Sequence, residues 1–179
     1  QVTLLDINFA RLRQLDDLLP KNVKNIVATE AHIDKALQDA DLIIGAVLVP
    51  GGKAPIVVSK AQVERLAPGT VIVDVAVDQG GCIETTHYTS HEKPTFEHHG
   101  VIHYAVPNMP GAVPRTSTMA LSACTLPYIK LIAQLGCGKA LEKAPELRKG
   151  FNVVKGKLVY EPVAQCFQMP YQALSVEEL

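Results

Sequence analysis

This chain lacks a charge bias of either sign: 17 Lys and Arg stand against 18 Asp and Glu over 179 residues, a net charge of −1. Such a balance leaves no electrostatic footprint for a nucleic acid or an acidic lipid surface, and neither is expected as a partner. Long apolar runs are scarce. The most apolar stretch, residues 42–50, falls well short of the roughly 20 residues that span a bilayer and contains Gly45, so no membrane insertion is expected. Only four cysteines occur, Cys82, Cys124, Cys137 and Cys166, at spacings that fit neither a zinc motif nor a compact disulfide framework. Reduced thiols and a cytoplasmic setting follow as expectations. The chain also lacks an initiator methionine and any polar lead-in. Gln1-Val2-Thr3-Leu4-Leu5-Asp6-Ile7 reads at once as a buried strand, and residue 1 is therefore not expected to start the encoded protein.

What is present, 47% hydrophobic and 20% charged residues, describes a soluble globular chain able to bury a core. The length suits one domain, or one domain and part of another. Its first half alternates short apolar runs with helical patterns. Strands are expected at residues 2–7, 25–28, 42–49, 70–77 and 101–106. Helices are expected from an Asn8 cap to Leu19 (with Leu12, Leu15 and Leu19 on one face), over residues 29–37, and after Ser59 over residues 60–66. That alternation predicts an α/β fold with an open, doubly wound parallel sheet. The second half changes character. Residues 117–135 read as a long, mostly apolar helix interrupted by Pro127 and stopped at Gly136, residues 144–149 as helix, and residues 152–159 as a hairpin around Lys155-Gly156. A boundary near Pro114, where the sheet ends, divides the chain into residues 1–116, which carry the sheet, and residues 117–179, a connecting helix and its continuation.

Three segments could carry chemistry. Asp6 ends the first strand just before a helix, where a dinucleotide-binding fold uses a carboxylate at the end of its second strand to accept hydrogen bonds from ribose hydroxyls; a carboxylate favoured by the helix dipole is the alternative. No Gly-x-Gly-x-x-Gly follows a strand, and Gly136-Cys137-Gly138 follows a helix and lacks the third glycine. If Asp6 closes strand two, strand one and its phosphate-cradling loop lie upstream of residue 1. The run Val71-Ile72-Val73-Asp74-Val75-Ala76-Val77-Asp78-Gln79-Gly80-Gly81-Cys82 sets a carboxylate after a buried strand, followed by glycines that admit close backbone approach to a ligand. Asp78 is the catalytic candidate, a plain strand exit the alternative, and Asp74 needs a partner if buried. Val106-Pro107-Asn108-Met109-Pro110-Gly111-Ala112-Val113-Pro114 is a proline-braced loop that could present an amide and an adaptable apolar surface to a flat ring, or link two domains. His98, His99 and His103 are close in sequence, but the His99 to His103 spacing converges only on a helix whereas the pattern there is a strand, so no metal site is expected. His32, His87 and His91 read as surface or loop residues.

Together, Leu5-Asp6-Ile7-Asn8, Ile44-Gly45-Ala46-Val47-Leu48-Val49-Pro50-Gly51, residues 73–82 and residues 107–114 resemble the alanine dehydrogenase and pyridine nucleotide transhydrogenase family, on its bacterial L-alanine dehydrogenase side. The resemblance runs over nearly all the chain. It implies a Rossmann-type domain binding NAD, with Asp6 on the adenosine ribose, Ile7 and Arg11 at the adenine end, and Ala46, Val47 and Leu48 along the cofactor. Val75, Ala76, Val77 and Asp78, with Val106, Pro107, Asn108 and Met109, would surround the nicotinamide, and Asp78 would be the catalytic aspartate. The implied reaction is reversible oxidative deamination of L-alanine to pyruvate and ammonium, by a homo-oligomer that is a hexamer in the family. The chain from about Ser117 would return to a substrate domain. The glycine-rich loop, a catalytic histidine and the arginine and lysine that hold the substrate carboxylate would come from an N-terminal remainder. Transhydrogenase subunits carry Glu where this sequence has Asp78, which favours the dehydrogenase. A non-catalytic remnant or scaffold from a split gene is the competing expectation.

Overall fold

The computed structural model describes residues 1–174; residues 175–179, the end of the expected 117–179 segment, lie outside the described residues. The chain forms two compact units, one of residues 1–47 and 55–107, the other of residues 48–54 and the chain from Asn108 onward.

In the first unit, strand β1 (Val2–Asp6) leads into helix α1 (Phe9–Leu18), whose start is fixed where expected: the Asn8 side chain accepts the Arg11 N–H, and Leu12 turns inward to be buried. Strand β2 (Val23–Val27) begins two residues earlier than the apolar pattern suggests and pairs parallel with β1 from Val2 opposite Val23 to Asp6 opposite Val27. Thr29 caps helix α2 (Glu30–Gln38). Strand β3 (Leu42–Gly45) stops four residues short of the expected Val49. Short helix α3 (Lys60–Val63) carries a full capping box, Ser59 accepting from the Gln62 N–H while the Gln62 side chain accepts from the Ser59 N–H.

Strand β4 (Val71–Asp74) is likewise shorter than expected, because Asp74 caps a 3₁₀ turn, Val75–Gln79, that takes the chain out of the sheet. Strands β5 (Thr95–His98) and β6 (Val101–Tyr104) form an antiparallel pair, and β5 is an element that the alternation of strand and helix does not announce. The sheet order is β3-β4-β6-β5, with β3, β4 and β6 parallel, so the expected all-parallel sheet carries an antiparallel edge. Its core is built from Val63, Ile72, Val77, Ile83, Val101 and Val106. Strands β1 and β2 form a separate two-stranded sheet. The outer edges of β1 and β3 thus have no strand partner among the described residues, and apolar side chains on both strands, Val2, Leu42 and Ile44, stand exposed.

In the second unit, helix α4 (Pro114–Lys143) starts three residues before Ser117, since Pro114 has its φ preset for a first helical turn and no N–H to leave unsatisfied. Pro127 does not interrupt it. The break falls at Gly136, whose φ of 74° and ψ of 168° separate two helices and stop the first where the sequence suggested. One 18-residue window within α4 reaches a mean hydropathy of 1.2, so by length and composition alone this stretch is more apolar than the sequence reading allowed; Met119, Leu121, Leu126 and Ile129 on it are exposed. The segment 144–149, expected as helix, is a 3₁₀ helix at Pro145–Gly150, and the Tyr128 hydroxyl donates to Glu146 Oε1 at 3.0 Å. The hairpin of β7 (Val153–Val154) and β8 (Lys157–Leu158) turns through Lys155 and Gly156 at φ 48° and 79°, as a two-residue turn of this hand requires. Helix α5 (Glu161–Cys166) follows.

Candidate functional site at the carboxyl edge of the sheet

Parallel strands deliver their carboxyl ends to one edge, where open α/β sheets bind ligands. Here the register makes that edge definite. Gly45 lies opposite Asp74, and Val73 opposite Tyr104, so the chain leaves β3, β4 and β6 together. Ala46 and Val47 follow β3, Val75 to Asp78 follow β4, and Val106 and Pro107 follow β6 after Ala105. The remaining expected site residues, Leu48, Asn108 and Met109, belong to the second unit, where Leu48 is exposed and Asn108 takes a left-handed conformation at φ 53° before the 3₁₀ turn Met109–Ala112.

The turn after β4 sorts its residues into two sets. Ala76 and Val77 are buried and pack inward, so only their backbone could meet a ligand, whereas Val75 and Asp78 are exposed. Asp74 organises the whole turn. It is fully buried, and its Oδ1 accepts the Ala76 N–H at 3.0 Å and the Cys82 thiol at 3.5 Å, while Oδ2 accepts the N–H groups of Cys82 at 2.9 Å and Ile83 at 3.2 Å. The partner that a buried carboxylate needs is therefore backbone and thiol, supplied by the return of the chain at residues 82 and 83. Burial, and then the neighbouring Asp74 charge, push the Cys82 thiol up from 9.0 to about 12, so it stays protonated and unreactive at neutral pH.

Two glycines are required here by internal packing, Gly45 and Gly81, of which the sequence pattern offered Gly81 for close approach to a ligand. A Cβ on Gly45 would lie 2.5 Å from Cys82 Sγ, and one on Gly81, at φ 84°, would lie 2.9 Å from Asp74 Oδ2. Gly80 has open space beside it and serves the turn through its φ of 95°.

Asp6 ends β1 half-buried. Its Oδ1 accepts the Asn8 N–H at 2.7 Å, and Oδ2 has no hydrogen-bond partner among the described residues. Ile7 is 84% exposed beside it. Arg11 points along α1, donating to Gln14 Oε1 at 3.4 Å, and so makes no ion pair with Asp6. His103 is a core residue: its Nδ1–H donates to the Val101 carbonyl at 3.1 Å, its Nε2 accepts from the Thr85 hydroxyl at 2.8 Å, and Phe96 stacks on the ring. Desolvation lowers its pKa and keeps it neutral. The roles of Gly45 and Thr85 escaped the sequence reading, which anticipated that a buried Asp74 needs a partner but not that Ala76, Cys82 and Ile83 supply it.

A family model described as alanine dehydrogenase/PNT, C-terminal domain, matches residues 1–161. The chain is 52% identical over 165 residues to an alanine dehydrogenase of Bacillus subtilis, covering 92% of this chain and 44% of that protein. It is 51% identical over 172 residues to an alanine dehydrogenase of Methanococcus maripaludis, covering 96% and 46%. Among solved structures, an L-alanine dehydrogenase superimposes with a TM-score of 0.80 at 53% identity, over 94% of this chain and 46% of that one. A transhydrogenase from Sinorhizobium meliloti matches with a TM-score of 0.54 at 28% identity over 63% of this chain. The chain spans just under half the length of the alanine dehydrogenases it matches.

Proposed function

This chain belongs to the alanine dehydrogenase/PNT C-terminal domain family, and from that premise we propose that it is the NAD-binding half of an enzyme that reversibly deaminates L-alanine to pyruvate and ammonium. The observation that carries the proposal is the common carboxyl edge of β3, β4 and β6, with Asp78 exposed on the turn after β4. Bound NAD would supply the acceptor for the hydride lost from the alanine Cα. The residues present suit it. Asp6 would offer Oδ2 to the adenosine ribose, with Ile7 and Arg11 at the adenine end and Ala46, Val47 and Leu48 along the dinucleotide. Val75 to Asp78 and Val106 to Met109 would surround the nicotinamide, the buried Ala76, Val77 and Val106 through their backbone. Asp78 holds or accepts a proton of the substrate amine or of the water that attacks the imine.

An N-terminal remainder supplies the phosphate-cradling loop, the catalytic histidine and the groups that hold the substrate carboxylate. The unpaired edges of β1 and β3 support an inserted strand from that remainder between them. The enzyme is proposed to be a cytoplasmic homo-oligomer, a hexamer as in the family, with no membrane or nucleic-acid partner. The exposed apolar side of α4 is then a surface covered within the assembly.

NAD is favoured over NADP because in this reading the Asp6 carboxylate would stand where a 2′-phosphate must sit, while Arg11 is turned toward Gln14. Two anions in a partly buried cleft repel by several kcal/mol. With alanine as substrate, kcat/KM for NAD should exceed that for NADP by at least about 100-fold, and Asp6→Ala should lower the NAD value while narrowing the ratio at least about tenfold. Equal use of both cofactors by the wild type, or an unchanged ratio in Asp6→Ala, would remove Asp6 from the cofactor site.

A further inference from the structure

At the opposite, amino edge of the same sheet, Glu64, His98 and His99 bring one ligand-type atom each to within 4.8 Å of one another. Glu64 caps the carboxyl end of α3, His98 ends β5, and His99 opens the two-residue turn into β6. Consecutive strand residues point to opposite faces. His99 escapes that rule through a left-handed φ of 50°, and both rings converge on one carboxylate oxygen: Glu64 Oε1 lies 3.9 Å from His98 Nε2 and 3.5 Å from His99 Nε2. The two rings stand 4.8 Å apart, edge to face at 63°.

An ordinary polar cluster does not account for this arrangement. His98 Nε2 is buried with no hydrogen-bond partner, an expensive state for a ring nitrogen aimed at a carboxylate. Lys60 Nζ, 3.8 Å from the same Glu64 oxygen, neutralises the carboxylate from the solvent side but, as a donor only, gives the imidazoles no better partner. The turn is held in place: the Gly69 N–H donates to the Gly100 carbonyl at 2.7 Å, and Gly100, at φ 75°, sits so close to Pro68 that a Cβ would lie 3.2 Å from the proline ring.

We propose that Glu64, His98 and His99 form a binding site for one divalent transition-metal ion of the zinc class, completed by water. Two imidazoles and one carboxylate suit zinc, cobalt or nickel rather than calcium or magnesium, which take oxygen. Ligand atoms bonded at about 2.0–2.1 Å in a tetrahedral site lie roughly 3.3 Å apart, so small side-chain rotations close the observed separations. The ion cross-links the end of α3 to the β5–β6 turn, well away from the carboxyl edge, and its role is structural. This inference stands on its own residues and does not depend on the proposed reaction.

The test is a titration of the full-length protein, stripped with EDTA, with Zn²⁺ by calorimetry and with Co²⁺ by visible absorption. One ion per chain should bind saturably with Co²⁺ bands of a nitrogen and oxygen site, and Zn²⁺ should raise Tm. His99→Asn keeps a residue that tolerates the left-handed turn while removing the imidazole, and Glu64→Gln keeps the shape while removing the charge. Each should weaken Zn²⁺ binding by at least the roughly 10- to 100-fold that loss of a mere outer-shell partner costs. Their metal-free Tm should stay near wild type, and His91→Asn should bind as wild type does. No saturable binding by the stripped wild type, or affinity unchanged in both His99→Asn and Glu64→Gln, would overturn the site.

Discussion

Replacing Asp78 by Asn in the full-length protein should lower alanine-dependent kcat by on the order of 10²-fold or more, the usual contribution of a positioned acid or base. That loss corresponds to about 2.7 kcal/mol of barrier. Asn preserves the size of the side chain and its capacity to hydrogen-bond, but it cannot exchange a proton with the substrate amine or the attacking water. The KM for NAD should change little. Stability should also hold, because Asp78 is exposed on the 3₁₀ turn while Ala76 and Val77 anchor that turn in the core. Steady-state kinetics beside a thermal melt separates the two effects. Turnover within about twofold of wild type, in a variant that melts normally, would remove Asp78 from the chemistry.

Asp74→Asn should do the reverse, costing stability first. The Asp74 carboxylate accepts from three backbone N–H groups and the Cys82 thiol. An amide has one oxygen, and its NH₂ would face donors that it cannot pair. One or two buried N–H groups are left unsatisfied, at about 1–3 kcal/mol each. A loss of about 1–6 kcal/mol is a large share of the stability of a domain and should lower Tm by several degrees or more. Gly81→Ala strains the same turn from the other side, through its φ of 84° and a Cβ 2.9 Å from Asp74 Oδ2, and should shift Tm in the same direction. An Asp74→Asn protein melting within about 1 °C of wild type would show that this bonding does not brace the turn.

The contrast between these two aspartates shows where a sequence is legible. Local signals read well: Asn8 and Ser59 cap the helices they were expected to cap, Leu12 faces the core, and Lys155-Gly156 turns a hairpin. Elements whose end is set by distant partners read poorly. Residues 71–77 are apolar enough to pass for one strand, yet β4 stops at Asp74 because Cys82 and Ile83 return to bind its carboxylate and Ala76 N–H completes the cap. Strand β5 has only Thr95, Phe96, Glu97 and His98, too short and polar to announce itself without β6 beside it. The same turn hid the convergence of His98 and His99, since spacing rules for metal ligands assume a helix or a strand and His99 is in neither. Pairing also explains the split sheet. Nothing in the local sequence of β1 or β3 says which strand should lie against its outer edge.

The most direct test of the proposed function is the formation of reduced nicotinamide from NAD by the full-length protein, measured with L-alanine and, separately, with a second nicotinamide nucleotide as hydride donor. Reduction that depends on L-alanine, releases pyruvate and ammonium in equal amounts and runs backward when both are supplied with NADH is the predicted result. Hydride transfer between two nucleotides with no response to alanine would contradict it, and would reassign this carboxyl edge to a transhydrogenase.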